Sequence, residues 1–238
     1  MISLFAGLST VIGGLIVFIK FKNTIKFISF SLSFAASIML SLSVLELFPD
    51  SFIKLKSIYN ELGVLISLFS FAFGIIIVRI INKKTPLLEN NLYRVGVMSM
   101  IALILHNIPE GIATFMASFN NLNSGLMLGL AIMMHNIPEG ISIAVPIALS
   151  SKSNKRGVIY SLIAGLSEPF GGLIAYVLLK RYINDITVSI ALLIVSGIMI
   201  SISINDLLPE SFKYNYKKET ILGFILGLVV VFITLFIL

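Results

Sequence analysis

His106-Asn107-Ile108-Pro109-Glu110-Gly111 occurs twice: the same six residues return unchanged as His135-Asn136-Ile137-Pro138-Glu139-Gly140. The two copies hold both histidines of the chain, and each lies inside a long apolar run. On a helix, residues i and i+4 share a face, so His106 stands with Glu110 and His135 with Glu139, while Asn107 and Asn136 precede those glutamates by three. Each copy therefore turns an imidazole nitrogen, an amide oxygen and a carboxylate toward one point. A charge at mid-bilayer costs about 2.5–3.5 kcal/mol even on a lenient insertion scale, so such a set needs compensation. No Lys or Arg stands in the middle of any apolar run, which leaves a bound metal ion or a proton to supply the positive charge.

The runs around the hexapeptides set the fold class. Of 238 residues, 58% are hydrophobic and 12% charged, and the mean hydropathy is +1.05. A soluble domain carries about 25% charged residues, so this chain lacks the polar surface to cover a globule in water. The sequence predicts an all-α integral membrane protein whose eight transmembrane helices fall at roughly 1–19, 27–48, 62–81, 95–119, 125–149, 157–180, 186–208 and 221–238, with no soluble domain. Strands are not expected, since the short alternating segments of a membrane barrel are missing. Met1 to Ile19 has neither a leading basic region nor a small-residue cleavage site and reads as a retained first span. The absence of cysteine excludes disulfides, thiolate metal sites and thiol catalysis.

The net charge of +6 reads as topology, not as a nucleic-acid footprint. Loops after spans 1, 3, 5 and 7 carry Lys20, Lys22, Lys26, Arg79, Lys83, Lys84, Arg94, Lys152, Lys155, Arg156, Lys213, Lys217 and Lys218, against Lys54, Lys56, Lys180 and Arg181 on the other side. The positive-inside rule makes the first set cytoplasmic and both termini extracytoplasmic. A second echo pairs Ser43 to Phe52 (SVLELFPDSF) with Ser203 to Phe212 (SINDLLPESF). Spans 4 and 5 run antiparallel, as do 2 and 7, which is the mark of inverted repeats meeting near the midplane and is transporter-like.

Five of the eleven acidic residues fall within these spans: Glu46, Glu110, Glu139, Glu168 and Asp206. Two hexapeptide helices with Glu168 beside them would offer two imidazoles, two amides and three carboxylates, a set that suits Zn²⁺, Fe²⁺, Mn²⁺ or Co²⁺ better than Ca²⁺ or Mg²⁺. A bridging glutamate is the natural way to hold two such ions. Pro109 and Pro138 cannot donate to the carbonyls of Leu105 and Met134, so kinked helices would leave acceptors beside the site. Gly111, Gly140, Gly171 and Gly172 would let helices approach closely there. The depth order is an outer carboxylate at Glu46, a central site, and an inner carboxylate at Asp206; both carboxylates are also readable as solvated span ends. Met39 lies about two turns before Glu46 at central depth, as a ligand or as packing.

The paired HNIPEG segments, followed by GIATF at 111–115 and GISIAVPI at 140–147, together with FAASIML at 34–40 and GLSEPFGG at 165–172, resemble the ZIP (Zrt/Irt-like) metal transporters, and among them the bacterial ZupT-like branch. The resemblance runs over essentially the whole chain. It implies one transmembrane transporter domain over 1–238, arranged as a 3+2+3 inverted-repeat bundle: spans 1–3 over about 1–81, a central pair over about 95–149, and spans 6–8 over about 157–238. It also implies a binuclear site with His106, Asn107, Glu110, His135 or Asn136, Glu139 and Glu168 as ligands, Glu110 and Glu139 bridging, and Met39 as a further match. Metal would move toward the cytoplasm by an elevator-type or rocking movement. Unlike many members, this chain has no histidine in the loop at 82–94.

The function expected is secondary import of divalent transition-metal ions, Zn²⁺ first, with Glu46 and Asp206 along the pathway. No prosthetic group is expected; the metal is cargo. The partners are metal ions and the lipid bilayer of the cytoplasmic membrane, with a homodimer left open and nucleic acid excluded. The alternatives are an intramembrane metal-dependent hydrolase, for which an HExxH signature is missing, and a metal sensor or channel.

Overall fold

The computed structural model describes residues 1–84, 91–178 and 184–237, and among them there are helices and no strands. In chain order these are α1 (Ile2–Gly14), continued by a 3₁₀ turn at Leu15–Phe18, α2 (Thr24–Leu42), α3 (Phe48–Tyr59), α4 (Glu61–Lys84), α5 (Asn91–Asn120), α6 (Leu122–Ser151), α7 (Asn154–Leu178), α8 (Asp185–Ile202), α9 (Leu208–Lys213) and α10 (Lys217–Ile237). A π turn at Ser43–Leu47 joins α2 to α3, and another at Ser203–Leu207 joins α8 to α9. The asparagines that break the apolar runs act as caps. Asn23 accepts from the backbone N–H of Lys26, Asn121 from those of Asn123 and Ser124, and Asn184 closes a capping box with Thr187.

Seven of these helical segments are long and apolar enough to cross a membrane, and Ile2–Phe18 is a shorter apolar one. At the usual rises that first segment spans about 27 Å, close to the ~30 Å hydrocarbon core.

Two spans differ from the sequence expectation. The second was expected to stop at 48 and the seventh at 208, each just before a proline, yet the helices run on to Tyr59 and Lys213. The physical reason is the π turn. The N–H of Phe48 reaches back five residues to the carbonyl of Ser43, and that of Leu208 to Ser203, so each chain is already wound wide where Pro49 and Pro209 enter the next turn. Lys180 and Arg181, counted in the charge asymmetry, and residues 85–90 of the histidine-free loop lie outside the described residues.

Helices α1, α5, α6 and α7 pack as one group, with α5 against α7 and α1 against α6; beside it α2 packs on α10 and α4 on α8. The groups touch where α2 meets α6 and α8 meets α5. Contacts recur in pairs. A β-carbon on Gly111 would strike the Glu168 carbonyl, as one on Gly140 would strike that of Thr10; Gly171 abuts the Ile108 carbonyl as Gly13 abuts that of Ile137. Glycine thus lets α7 and α1 lie backbone-to-backbone on the two hexapeptides. Between α2, α5, α6 and α8 lies the main apolar cluster, which includes Met39, Val95, Met98, Ala102, Val145, Met199 and Ile202.

Candidate metal site

Both hexapeptides lie within unbroken helix, at Pro109 of α5 and Pro138 of α6, and their polar faces meet. Glu110 Oε1 is 3.1 Å from His106 Nε2 and 3.1 Å from His135 Nε2, so a carboxylate of one copy touches the imidazoles of both. Glu139 Oε1 is 3.8 Å from His106 Nε2, and the two rings are 6.3 Å apart centre to centre. One ligand atom from each of His106, Glu110 and His135 falls within 4.8 Å of the others, a spacing that fits a single metal ion.

The asparagines are held in matching ways. Asn107 Nδ2 donates to the Ala164 carbonyl on α7 (3.1 Å), and Asn136 Nδ2 to the Ala6 carbonyl on α1 (3.0 Å). In both, the amide oxygen Oδ1 has no hydrogen-bond partner among the described residues. Asn136 also donates to Glu168 Oε2 at 2.8 Å, which ties the third carboxylate to the cluster.

All seven side chains are buried, and much of their hydrogen-bonding capacity is unused. Glu110 Oε2, both oxygens of Glu139, Glu168 Oε1, Nδ1 of both histidines and the two asparagine oxygens have no hydrogen-bond partner among the described residues. Buried polar atoms in proteins are nearly always satisfied, so a concentration of unused acceptors at one place makes this cluster a candidate cation site. The cluster is not sealed evenly. Glu110 and His135 keep 7% and 4% exposure, whereas His106, Asn107, Asn136, Glu139 and Glu168 keep 0%. Glu46, half-buried in its π turn, lies within electrostatic range of His135, Glu110 and His106.

Met39 is fully buried in the main apolar cluster among Met98, Val95 and Met199. Asp206 is buried at the second π turn, where Arg94 Nη2 lies 3.1 Å from its Oδ1 and Asn82 Nδ2 donates to its Oδ2 at 3.4 Å. Arg94, read from sequence as a loop charge, belongs to the first turns of α5. Thr10 was also passed over. Gly7 to Gly14 (GLSTVIGG) parallels Gly165 to Gly172 (GLSEPFGG), which sets Thr10 where α7 carries Glu168, and its hydroxyl is buried with no hydrogen-bond partner among the described residues.

These features define a class: a multi-pass helical membrane protein with a buried cluster of candidate metal ligands enclosed between two copies of one motif. A family model described as ZIP Zinc transporter matches residues 82–235. Over 99% of its length the chain is 36% identical to 94% of the zinc transporter ZupT of Clostridium perfringens. It is 37% identical to the ZupT of Streptococcus mutans over 97% of this chain and 93% of that protein. Against the ZupT of Chlorobium luteolum the identity is 38% over 100% and 97%. The chain belongs to the ZIP zinc transporter family. That family consists of transporters, so the reading of the cluster as a hydrolytic centre falls away.

Proposed function

We propose that the protein is a secondary importer of divalent transition-metal ions across the cell membrane, with Zn²⁺ the first substrate and Fe²⁺, Mn²⁺ and Co²⁺ accepted. The observation that carries this is the buried set of unpartnered nitrogen and oxygen donors shared by the two hexapeptides. Imidazole and carboxylate without thiolate favour borderline divalent ions, and a site that relies on ligand type alone ranks first-row metals only loosely. His106, Glu110 and His135 hold the ion. Glu139, Glu168, Asn107 and Asn136 complete a second position, with Glu110 and Glu139 bridging, and Met39 lies along the route.

The chain crosses the membrane eight times as a 3+2+3 inverted repeat, with both termini outside. This reading is supported by the paired contacts of α1 with α6 and α7 with α5, and by the two π turns. Inverted repeats around a midplane site permit two states in which the halves exchange environments. Metal approaches past Glu46, sheds water to the cluster, and leaves past Asp206. No nucleotide-binding motif is present in the sequence, so the driving force is a gradient.

The test is influx into proteoliposomes loaded with a metal indicator, with Zn²⁺, Fe²⁺, Mn²⁺, Co²⁺ and Mg²⁺ offered singly and in competition. Saturable influx of the transition metals, lost in Glu139→Ala, is the expected result. Influx that does not saturate points to a channel, and tight binding with no influx to a sensor; either outcome overturns the carrier.

A further inference from the structure

The inner carboxylate is occupied by a cation of the protein's own. Arg94 Nη2 contacts Asp206 Oδ1 at 3.1 Å, Arg94 Nη1 donates to Asn82 Oδ1 at 3.2 Å, and Asn82 Nδ2 donates to Asp206 Oδ2 at 3.4 Å. The three side chains form a closed ring across the end of α4, the start of α5 and the second π turn. Both carboxylate oxygens are used. The side chain of Asp206 is 1% exposed and that of Arg94 26%, so the pair is shielded from water on the carboxylate side.

Arg94 precedes the central site on the same helix, α5. Arg94, Met98, Ala102, His106 and Glu110 follow one another at four-residue intervals, so the guanidinium anchors about 18 Å along the helix from the first histidine. Met98 and Ala102, between them, belong to the main apolar cluster that separates the site from Asp206. The other π turn has no such ring. Among the described residues Glu46 forms no ion pair, and the residue that matches Arg94 in the second copy is Asn123.

We propose that Arg94 is the resident cation of the exit carboxylate. It occupies on Asp206 the place that the departing metal ion takes, Asn82 holds the pair in register, and release requires the ion to displace the guanidinium. A divalent ion can do so because it attracts a carboxylate about twice as strongly as a single charge at equal distance, an advantage a monovalent ion lacks. After release the guanidinium returns, which keeps the bare carboxylate from trapping the ion. The inference rests on the reading of the central cluster as the metal site and of Asp206 as part of the route.

The chain has no cysteine, so Ser203→Cys places a single thiol on the exit turn, where the serine is now fully buried. In that background, labelling by a charged thiol reagent is compared with and without Arg94→Gln. Expected are labelling at least about tenfold faster and Zn²⁺ influx at least about tenfold slower at unchanged half-saturation, from the loss of a charged hydrogen-bonded partner. Adding Asp206→Asn to Arg94→Gln restores influx toward wild type, because the trapping charge is gone. Arg94→Lys, which keeps the charge but has a single nitrogen for both Asp206 and Asn82, falls between wild type and Arg94→Gln in both readouts. Unchanged labelling in Arg94→Gln, or a double variant as slow as the single one, overturns the proposal. Co²⁺ absorption of the wild type and of each variant separates the two readings. Failure of the wild type to bind Co²⁺ defeats the central site itself, while normal Co²⁺ binding with unchanged labelling defeats Arg94 alone.

Discussion

The two hexapeptide helices carry nearly the same residues at four-residue intervals and end in different surroundings. On α5 these are Arg94, Met98, Ala102, His106, Glu110; on α6 they are Asn123, Met127, Ala131, His135, Glu139. Met98 is 1% exposed and locked in the apolar cluster, whereas Met127 is 46% exposed. Glu110 contacts two imidazoles, but Glu139 is near one only, at the longer distance of 3.8 Å. One sequence motif in two environments thus acquires two unequal sets of contacts, with apolar packing and the Arg94–Asp206 ion pair on the α5 side alone.

The comparison can be broken in several places, the strongest at the methionines. Met98→Ala is expected to lower stability by about 2–5 kcal/mol through the cavity it leaves, while Met127→Ala stays within about 0.5 kcal/mol. Thermal unfolding in detergent measures both, and equal losses would show that the two arms are packed alike. The carboxylates come next. Glu110→Gln should weaken Co²⁺ binding at least about 100-fold and Glu139→Gln about tenfold, because the first contacts both histidines. Titration of the cobalt absorption bands reads the difference, and equal losses would remove functional meaning from the asymmetry. The smallest effect separates the asparagines. Asn136 bonds both Ala6 and Glu168 whereas Asn107 bonds Ala164, so Asn136→Ala should cost about 1 kcal/mol more than Asn107→Ala in the same melting assay.

The amino-acid sequence made the site legible because its chemistry is repeated. Two histidines and a duplicated hexapeptide in apolar surroundings leave few other readings; the structure pairs His106 with Glu110 as the i, i+4 spacing implies, whereas His135 contacts Glu110 of the other copy, 25 positions away, where the spacing had paired it with Glu139. The spans were legible for the same reason that hydropathy is: every backbone group in a membrane must be satisfied within its own helix. Pro49 and Pro209 misled, because a proline reads as a stop unless a π turn before it has already widened the helix, and no residue type announces a π turn. Arg94 misled because a basic residue at a span boundary looks like a topology signal until its partner, 112 positions later, is seen beside it. The match of Thr10 to Glu168 was present in the glycine pattern of GLSTVIGG and GLSEPFGG, a signal weaker than the hexapeptide because only the glycines, leucine and serine agree.

X-ray absorption at the zinc edge of the purified, Zn²⁺-loaded protein tests the central claim most directly. The account predicts a shell of nitrogen and oxygen at about 2.0–2.2 Å with the outer-shell scattering of two imidazoles, reduced to one in His106→Ala and in His135→Ala. Zinc bound without imidazole, or a shell unchanged by either substitution, would contradict it.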